Sequence, residues 1–259
     1  MRQLTDFACD GETLIGTLDA GAFTTGLLIV SGGSELRCGA HRGMALLAHE
    51  LADMGVPVFR FDRRGIGDSS GTDRGYAESA PDIAAAAAHF RALQPQLTRI
   101  IGFGNCDAAT ALALFHRDAG IDALVLANPW VGDEEDGLPP AEAIGAHYAG
   151  RLRDPRQWAR ALTGGVNIGK AVKGLLKLSR RKSESSNPIA RATLAALGDT
   201  PCTILLAERD NTAIRFRRDW TGGWTTHARD TDSHSFARSG DQDWLRDRLR
   251  EAIGAPPAQ

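Results

Sequence analysis

Short aliphatic runs that break into glycines or turns alternate with helical patterns along most of this chain. LLIVSGG (27–33) reads as a buried strand running into a tight loop. HRGMALLAHELADMG (41–55) then sets Met44, Leu47 and Leu51 at helical spacing, with Gly55 as a stop. VPVFRFD (56–62) is a second strand and passes into the turn-rich RRGIGDSSG. An Ala-rich helix over 78–94, a strand at RIIGFG (99–104), a helix at CDAATALALFHRDAG (106–120) and a strand at IDALVLANPW (121–130) follow. CTILLAERD (202–210) and the helix QDWLRDRLREAI (242–253) continue the alternation. Such a chain is expected to form an α/β fold, a mostly parallel sheet with helices on its faces, because parallel neighbours need a crossover between them.

No repeat or low-complexity linker divides residues 1–259, so one domain is expected. The exception to the rhythm is 131–200, far longer than a usual connection, which reads as a helical cap insertion. It carries Arg151, Arg153, Arg156, Arg160, Lys170, Lys173, Lys177, Arg180, Arg181 and Lys182 with few acids between them. The basic helix AVKGLLKLSRRK offers weak contact with an anionic membrane surface, although charge runs more often only solvate a face.

The 259 residues hold 30 basic against 32 acidic side chains, which argues against a nucleic-acid partner. A core of this size needs no disulfide or metal staple. Cys9, Cys38, Cys106 and Cys202 lie far apart, without zinc-ligand spacing, as individual thiols of a reduced compartment would. The polar start MRQLTDFACDGETLIG is unlike a signal peptide, and no apolar run is long enough to span a bilayer. The expected location is the cytoplasm; oligomeric state is open.

RIIGFGNCDAATALAL is the most informative segment. A strand ends at Gly104, one sharp turn intervenes, and a helix starts near Asp107. Gly104 and Ala108 flank Cys106 at two residues on either side, the small positions that a nucleophile elbow needs where strand and helix come close. A thiol at a helix N-terminus meets unpaired N–H groups and the positive end of the dipole, both of which favour thiolate. The N–H of Asp107 points where an oxyanion would form. The bland alternative is a buried core cysteine. A dinucleotide fingerprint starting at Gly102-Phe103-Gly104 fails because its third small position is Asp107, and Asp122 stands at the start of the next strand rather than its end.

A cysteine nucleophile needs a base, and the base needs an orienting acid. His234, in a polar loop before the last helix, is the first candidate and His227 the second; His41, His49, His89, His116 and His147 sit in or beside helices. Asp210 ends the run CTILLAERD at a strand's C-terminal edge, with Glu208 and Asp133 as the other acids in reach. The order nucleophile, Asp, His is that of α/β-hydrolases.

The chain resembles the α/β-hydrolases, and more closely the type-1 hydrolases associated with the exosortase A system. The resemblance rests on IVSGGSELRCGAHRGMALLAHELADMGVPVFRFDRRGIGDSSG, GFGNCDAAT, LVLANPW, the RL…WARALTGGVN stretch and SHSF. It implies the α/β-hydrolase fold, a triad of Cys106, Asp210 and His234, and an oxyanion hole from the N–H of Asp107 and one at Gly33 or Ser34. It also implies a setting in exopolysaccharide production. The family's Gly-Gly-Pro-Gln-Tyr-Arg run is Gly32-Gly33-Ser34-Glu35-Leu36-Arg37 here, without the proline and the aromatic. Asp62 and Arg63 are expected to fix their own loop by hydrogen bonding. Arg37 and Arg42 are candidates to pair with a substrate anion, or equally to form structural salt bridges. Trp130 and Trp158 are candidates to line the space under the cap.

The expected reaction is cleavage of an ester or thioester in a small acyl substrate through an acyl-cysteine, with no metal or organic cofactor. Two alternatives stand beside it: transfer of the acyl group to a sugar or amine, and a catalytically idle hydrolase fold that binds a partner.

Overall fold

The computed structural model describes residues 1–132, 187–220 and 222–255. Among these, eight strands form one sheet. The chain enters through β1 (Arg2–Cys9) and β2 (Glu12–Asp19), an antiparallel hairpin closed by Asp10 and Gly11 at φ 50° and 84°. Asp-Gly suits that two-residue turn because both central positions need positive φ. The sequence reading assigns no element here, although the dipeptide is a hairpin signal.

From β3 (Thr25–Val30) onward the alternation is as expected: α1 (Gly43–Asp53), β4 (Val58–Phe61), α2 (Ala80–Leu93), β5 (Arg99–Asn105), α3 (Asp107–Phe115) and β6 (Ala123–Ala127). After the undescribed stretch come α4 (Pro188–Leu197), β7 (Cys202–Ala207), α5 (Asn211–Asp219), β8 (Thr225–Arg229) and α6 (Asp241–Ile253). The strand order is β1-β2-β4-β3-β5-β6-β7-β8, with every pair from β4 to β8 parallel.

The parallel strands β3 to β7 are buried on both faces, as their aliphatic runs require. Leu28, Val30, Ile100, Leu124 and Leu126 face one core, built with α2, α3, α4 and α5. Leu27, Ile29, Ile101, Phe103 and Val125 face the other, built with Leu47 and Leu51 of α1 and Leu245 and Leu249 of α6. Period-two alternation along each strand separates the two sets.

The end of the expected insertion, Pro188–Leu197, is α4, which packs on α3 and buries Ala190, Thr193 and Leu197. Residues 133–186 of that insertion lie outside the described residues, and with them Asp133, His147, Trp158 and the basic helix. No helix among the described residues is long and apolar enough to cross a membrane.

Candidate active site

Parallel strands deliver their following loops to a single edge of the sheet. The loops after β3, β5, β7 and β8 carry Gly33, Cys106, Asp210 and His234 respectively, so residues far apart in sequence share that edge.

Cys106 sits alone between β5 and α3 at φ 60°, ψ −127°, a backbone conformation that non-glycine residues rarely hold. The turn is braced on three sides. Its N–H donates to Ala127 C=O (2.9 Å), while its C=O accepts from Ala109 N–H (3.1 Å) and Trp130 N–H (3.2 Å). Gly104 shows why the small residue is needed. A Cβ there would lie 2.8 Å from the Ala108 carbonyl carbon and 2.9 Å from Ala109 N, all backbone that cannot swing aside. Gly104→Ala is therefore expected to push α3 off β5, at a cost of about 1–3 kcal/mol. A denaturant melt would show it as a lower midpoint with unchanged slope, and an unchanged midpoint would refute the close-packing argument.

His234 Nδ1 lies 3.0 Å from Asp210 Oδ2, and the Cys106 side chain is close enough to the same ring to raise its pKa. With Nδ1 committed to Asp210, Nε2 is the nitrogen left for the sulfur. Asp210 does two jobs with one oxygen, since Oδ2 also accepts from Thr212 N–H (3.0 Å) and Ala213 N–H (3.2 Å) as the N-cap of α5. The helix thus aims the carboxylate that aims the imidazole. The Asp210 hydrogen bond, then that of Cys106, pushes the His234 pKa up to about 10 against partial burial. The Glu35 carboxyl faces this imidazole as well; burial raises its pKa, and the His234 charge opposes that rise.

The Gly33 loop is held from both sides. Gly33 N–H donates to Asp107 Oδ1 at 2.7 Å, so this expected donor is engaged and a substrate oxygen must displace the Asp107 carboxylate to reach it. Gly32 has to be glycine, because a Cβ would meet that oxygen at 2.6 Å. Ser34, the other expected donor of this loop, is exposed on it. From behind, the buried Arg63 donates to Gly33 C=O. Arg63 therefore anchors the Gly33 loop rather than only its own turn, as expected from sequence.

Among the remaining candidates, Arg37 forms ion pairs, the structural one of its two expected roles. Its guanidinium holds Asp62 and reaches Asp68 (3.3 Å) and Thr17 Oγ1 (3.2 Å), while Asp62 also takes the Arg37 N–H at 2.6 Å. Arg42 is exposed at φ 63° just before α1. Trp130 sits half-buried with its ring edge-on to Tyr76 at 5.5 Å, next to the elbow through its own N–H. Glu208 is paired with Arg217 (3.0 Å), and His227 lies along β8 rather than in a loop. His116 is buried against Thr200, His89 stacks on Phe7, His49 neighbours Asp53, and His41 is exposed. Sequence reading missed Asn128, which is buried beneath the array; its only signal was its place at the end of a strand running LVLAN.

The sequence matches the family described as serine aminopeptidase, S33 (Hydrolase_4), over residues 25–185. The chain belongs to that family. The match starts with β3 and runs through the elbow, and the S33 family places the protein among the α/β-hydrolases, whose fold the sheet and its crossovers show. Solved structures agree. The α/β-hydrolase GrgF from Penicillium sp. sh18 is 18% identical with TM-score 0.65, covering 98% of each chain. The esterase Pf2001 of Pyrococcus furiosus is also 18% identical at TM-score 0.65, over 98% of this chain and 90% of the esterase. XC6422 from Xanthomonas campestris, described as an a/b serine hydrolase without lid, is 15% identical at TM-score 0.59, over 100% of this chain and 97% of its own. At such identities the likeness is one of fold. No curated protein matches the sequence. Unlike a serine hydrolase, this S33 member carries cysteine at the elbow.

Proposed function

We propose that this S33-family hydrolase cleaves an ester or thioester through an acyl-cysteine on Cys106. The observation that carries the reading is the continuous chain from the strained elbow through His234 to Asp210. A protonated imidazole beside Cys106 stabilises negative charge on the sulfur, which attacks the substrate carbonyl. Sγ–C bond formation places the carbonyl electron pair on oxygen, facing the N–H of Asp107 and the Gly33 loop. Collapse breaks the bond to the leaving group, and His234 gives its proton to the departing oxygen or sulfur. Water then attacks the thioester; His234, now neutral, takes the water proton, and the Cys106 thiolate leaves with the bond electrons.

Esters and thioesters fit this arrangement better than amides. In a tetrahedral intermediate a thiolate leaves more readily than an unprotonated amine, so an amide substrate would tend to revert. The setting in exopolysaccharide production is supported by the resemblance of the quoted segments to the exosortase-associated hydrolases.

Intact-mass spectrometry with a panel of activated esters and acyl thioesters tests the reading. Wild type is expected to gain an acyl mass that Cys106→Ala never gains and that His234→Ala gains slowly. A wild type that stays unmodified, or a Cys106→Ala variant that acylates equally, would overturn the enzymatic reading in favour of a binding protein.

A further inference from the structure

β6 lies between β5 and β7 in the sheet, and Asn128 is the first residue beyond its C-terminal end. A side chain at that place can reach the ends of both neighbouring strands. The Asn128 side chain does so and also reaches the β8–α6 loop. Nδ2 donates to Asn105 Oδ1 (3.1 Å) and to His234 C=O (2.9 Å), while Oδ1 accepts from Ala207 N–H (2.8 Å). Asn105 directly precedes Cys106. Ala207 ends β7, and its carbonyl accepts from Asp210 N–H at 3.0 Å. The third partner is the main chain of His234 itself. One amide therefore ties together the three segments that carry the sulfur, the imidazole and the carboxylate.

The chemistry of the position is demanding. Asn128 is fully buried, so each partner it leaves unbonded would be an unsatisfied polar group. It sits at φ 41°, a region asparagine tolerates better than most side chains. A primary amide supplies two donors and one acceptor in a single plane; a carboxylate has no donor and an aliphatic chain has neither.

We propose that Asn128 is the positioning residue that sets the mutual registry of Cys106, His234 and Asp210. The inference rests on the acyl-cysteine reading for its effect on rate, but not for its effect on geometry. Without the amide, the His234 loop drifts from Asp210, and a misplacement of about 1 Å is worth on the order of 10²-fold in rate.

Two variants divide the question. Asn128→Gly accepts the positive φ and removes all three bonds; Asn128→Asp keeps the shape and the acceptor but loses both donations. The first readout is the His234 imidazole titration by NMR, since the groups facing that ring are Asp210, Cys106 and Glu35. Loss of registry weakens the Asp210 bond, so the Asn128→Gly midpoint is expected to fall from about 10 towards the ordinary 6.5. The second readout is single-turnover acylation per folded molecule, expected to drop on the order of 10²-fold in both variants with substrate affinity little changed. Variants that melt earlier yet keep the wild-type midpoint and acylation rate would show a merely structural amide and overturn the proposal. So would Asn128→Asp acylating like wild type, which decides the matter should Asn128→Gly not fold. If wild type itself never acylates, the functional reading fails while the His234 midpoint still judges Asn128.

Discussion

Asp210→Asn is expected to slow acylation of Cys106 about 10⁴-fold, the scale seen when the acid of a triad becomes an amide. The helix cap should survive, and what is lost is the stability held in the raised His234 pKa. Asparagine caps a helix about as well as aspartate, so the bonds from Thr212 and Ala213 to the side chain survive. The charge that holds His234 protonated does not. His234 therefore falls from about 10 towards 6.5, because the amide oxygen that keeps the cap offers Nδ1–H only an uncharged acceptor. Asp210→Ala should add loss of the cap, about 1 kcal/mol, and so melt earlier than the amide variant. The pH dependence has a definite sign. A raised histidine pKa gives stability that is fully present below about 6.5 and disappears as pH rises through about 10. Wild type should lose that stability across this window and its acylation rate near the upper end of it, whereas Asp210→Asn should show neither loss near pH 10. Rapid-quench acylation and thermal melts between pH 6 and 10.5 would measure both. An amide variant acylating like wild type would mean that Asp210 serves α5 alone.

Cys106→Ser is the second large effect: acylation should fall about 10³-fold at neutral pH, although the elbow can hold a hydroxyl in the same place. An alcohol must surrender its proton as it attacks, and that needs a neutral imidazole. Here Asp210, the largest cause of the raised His234 pKa, keeps the ring protonated at neutral pH. A protonated ring can stabilise negative charge on an attacking sulfur but cannot take the proton of an attacking hydroxyl. The two forms should also show opposite pH slopes. Serine acylation should rise as His234 loses its proton, while cysteine acylation should decline when the leaving group loses its acid. A serine variant as fast as wild type at pH 7 would show that His234 is neutral there and that the ion-pair description is wrong.

Much of this was legible in the residues. Aliphatic runs such as LLIV, RIIGFG and ALVLA, short and ending in glycines or turns, read as strands buried on both faces, and their spacing leaves room for a helix between them. Gly104 and Ala108 around Cys106 marked the elbow because the close approach of β5 and α3 admits nothing larger. Where local patterning was weak, reading stopped short. The edge strands β1 and β8 bury few side chains, so their alternation was faint.

Local sequence therefore determined the strand–helix rhythm, the strained cysteine and the parallel sheet, since each follows from periodicity and from the size of residues two or four apart. Tertiary structure alone decided who meets whom at the sheet edge. It set His234 beside Asp210, paired Glu208 with Arg217, turned Arg37 into an ion pair with Asp62, seated Asp107 on Gly33, and brought Asn128 beneath three distant segments. Those pairings join residues up to 106 positions apart. No periodicity carries over such a distance; the order and register of the strands determine which loop ends become neighbours.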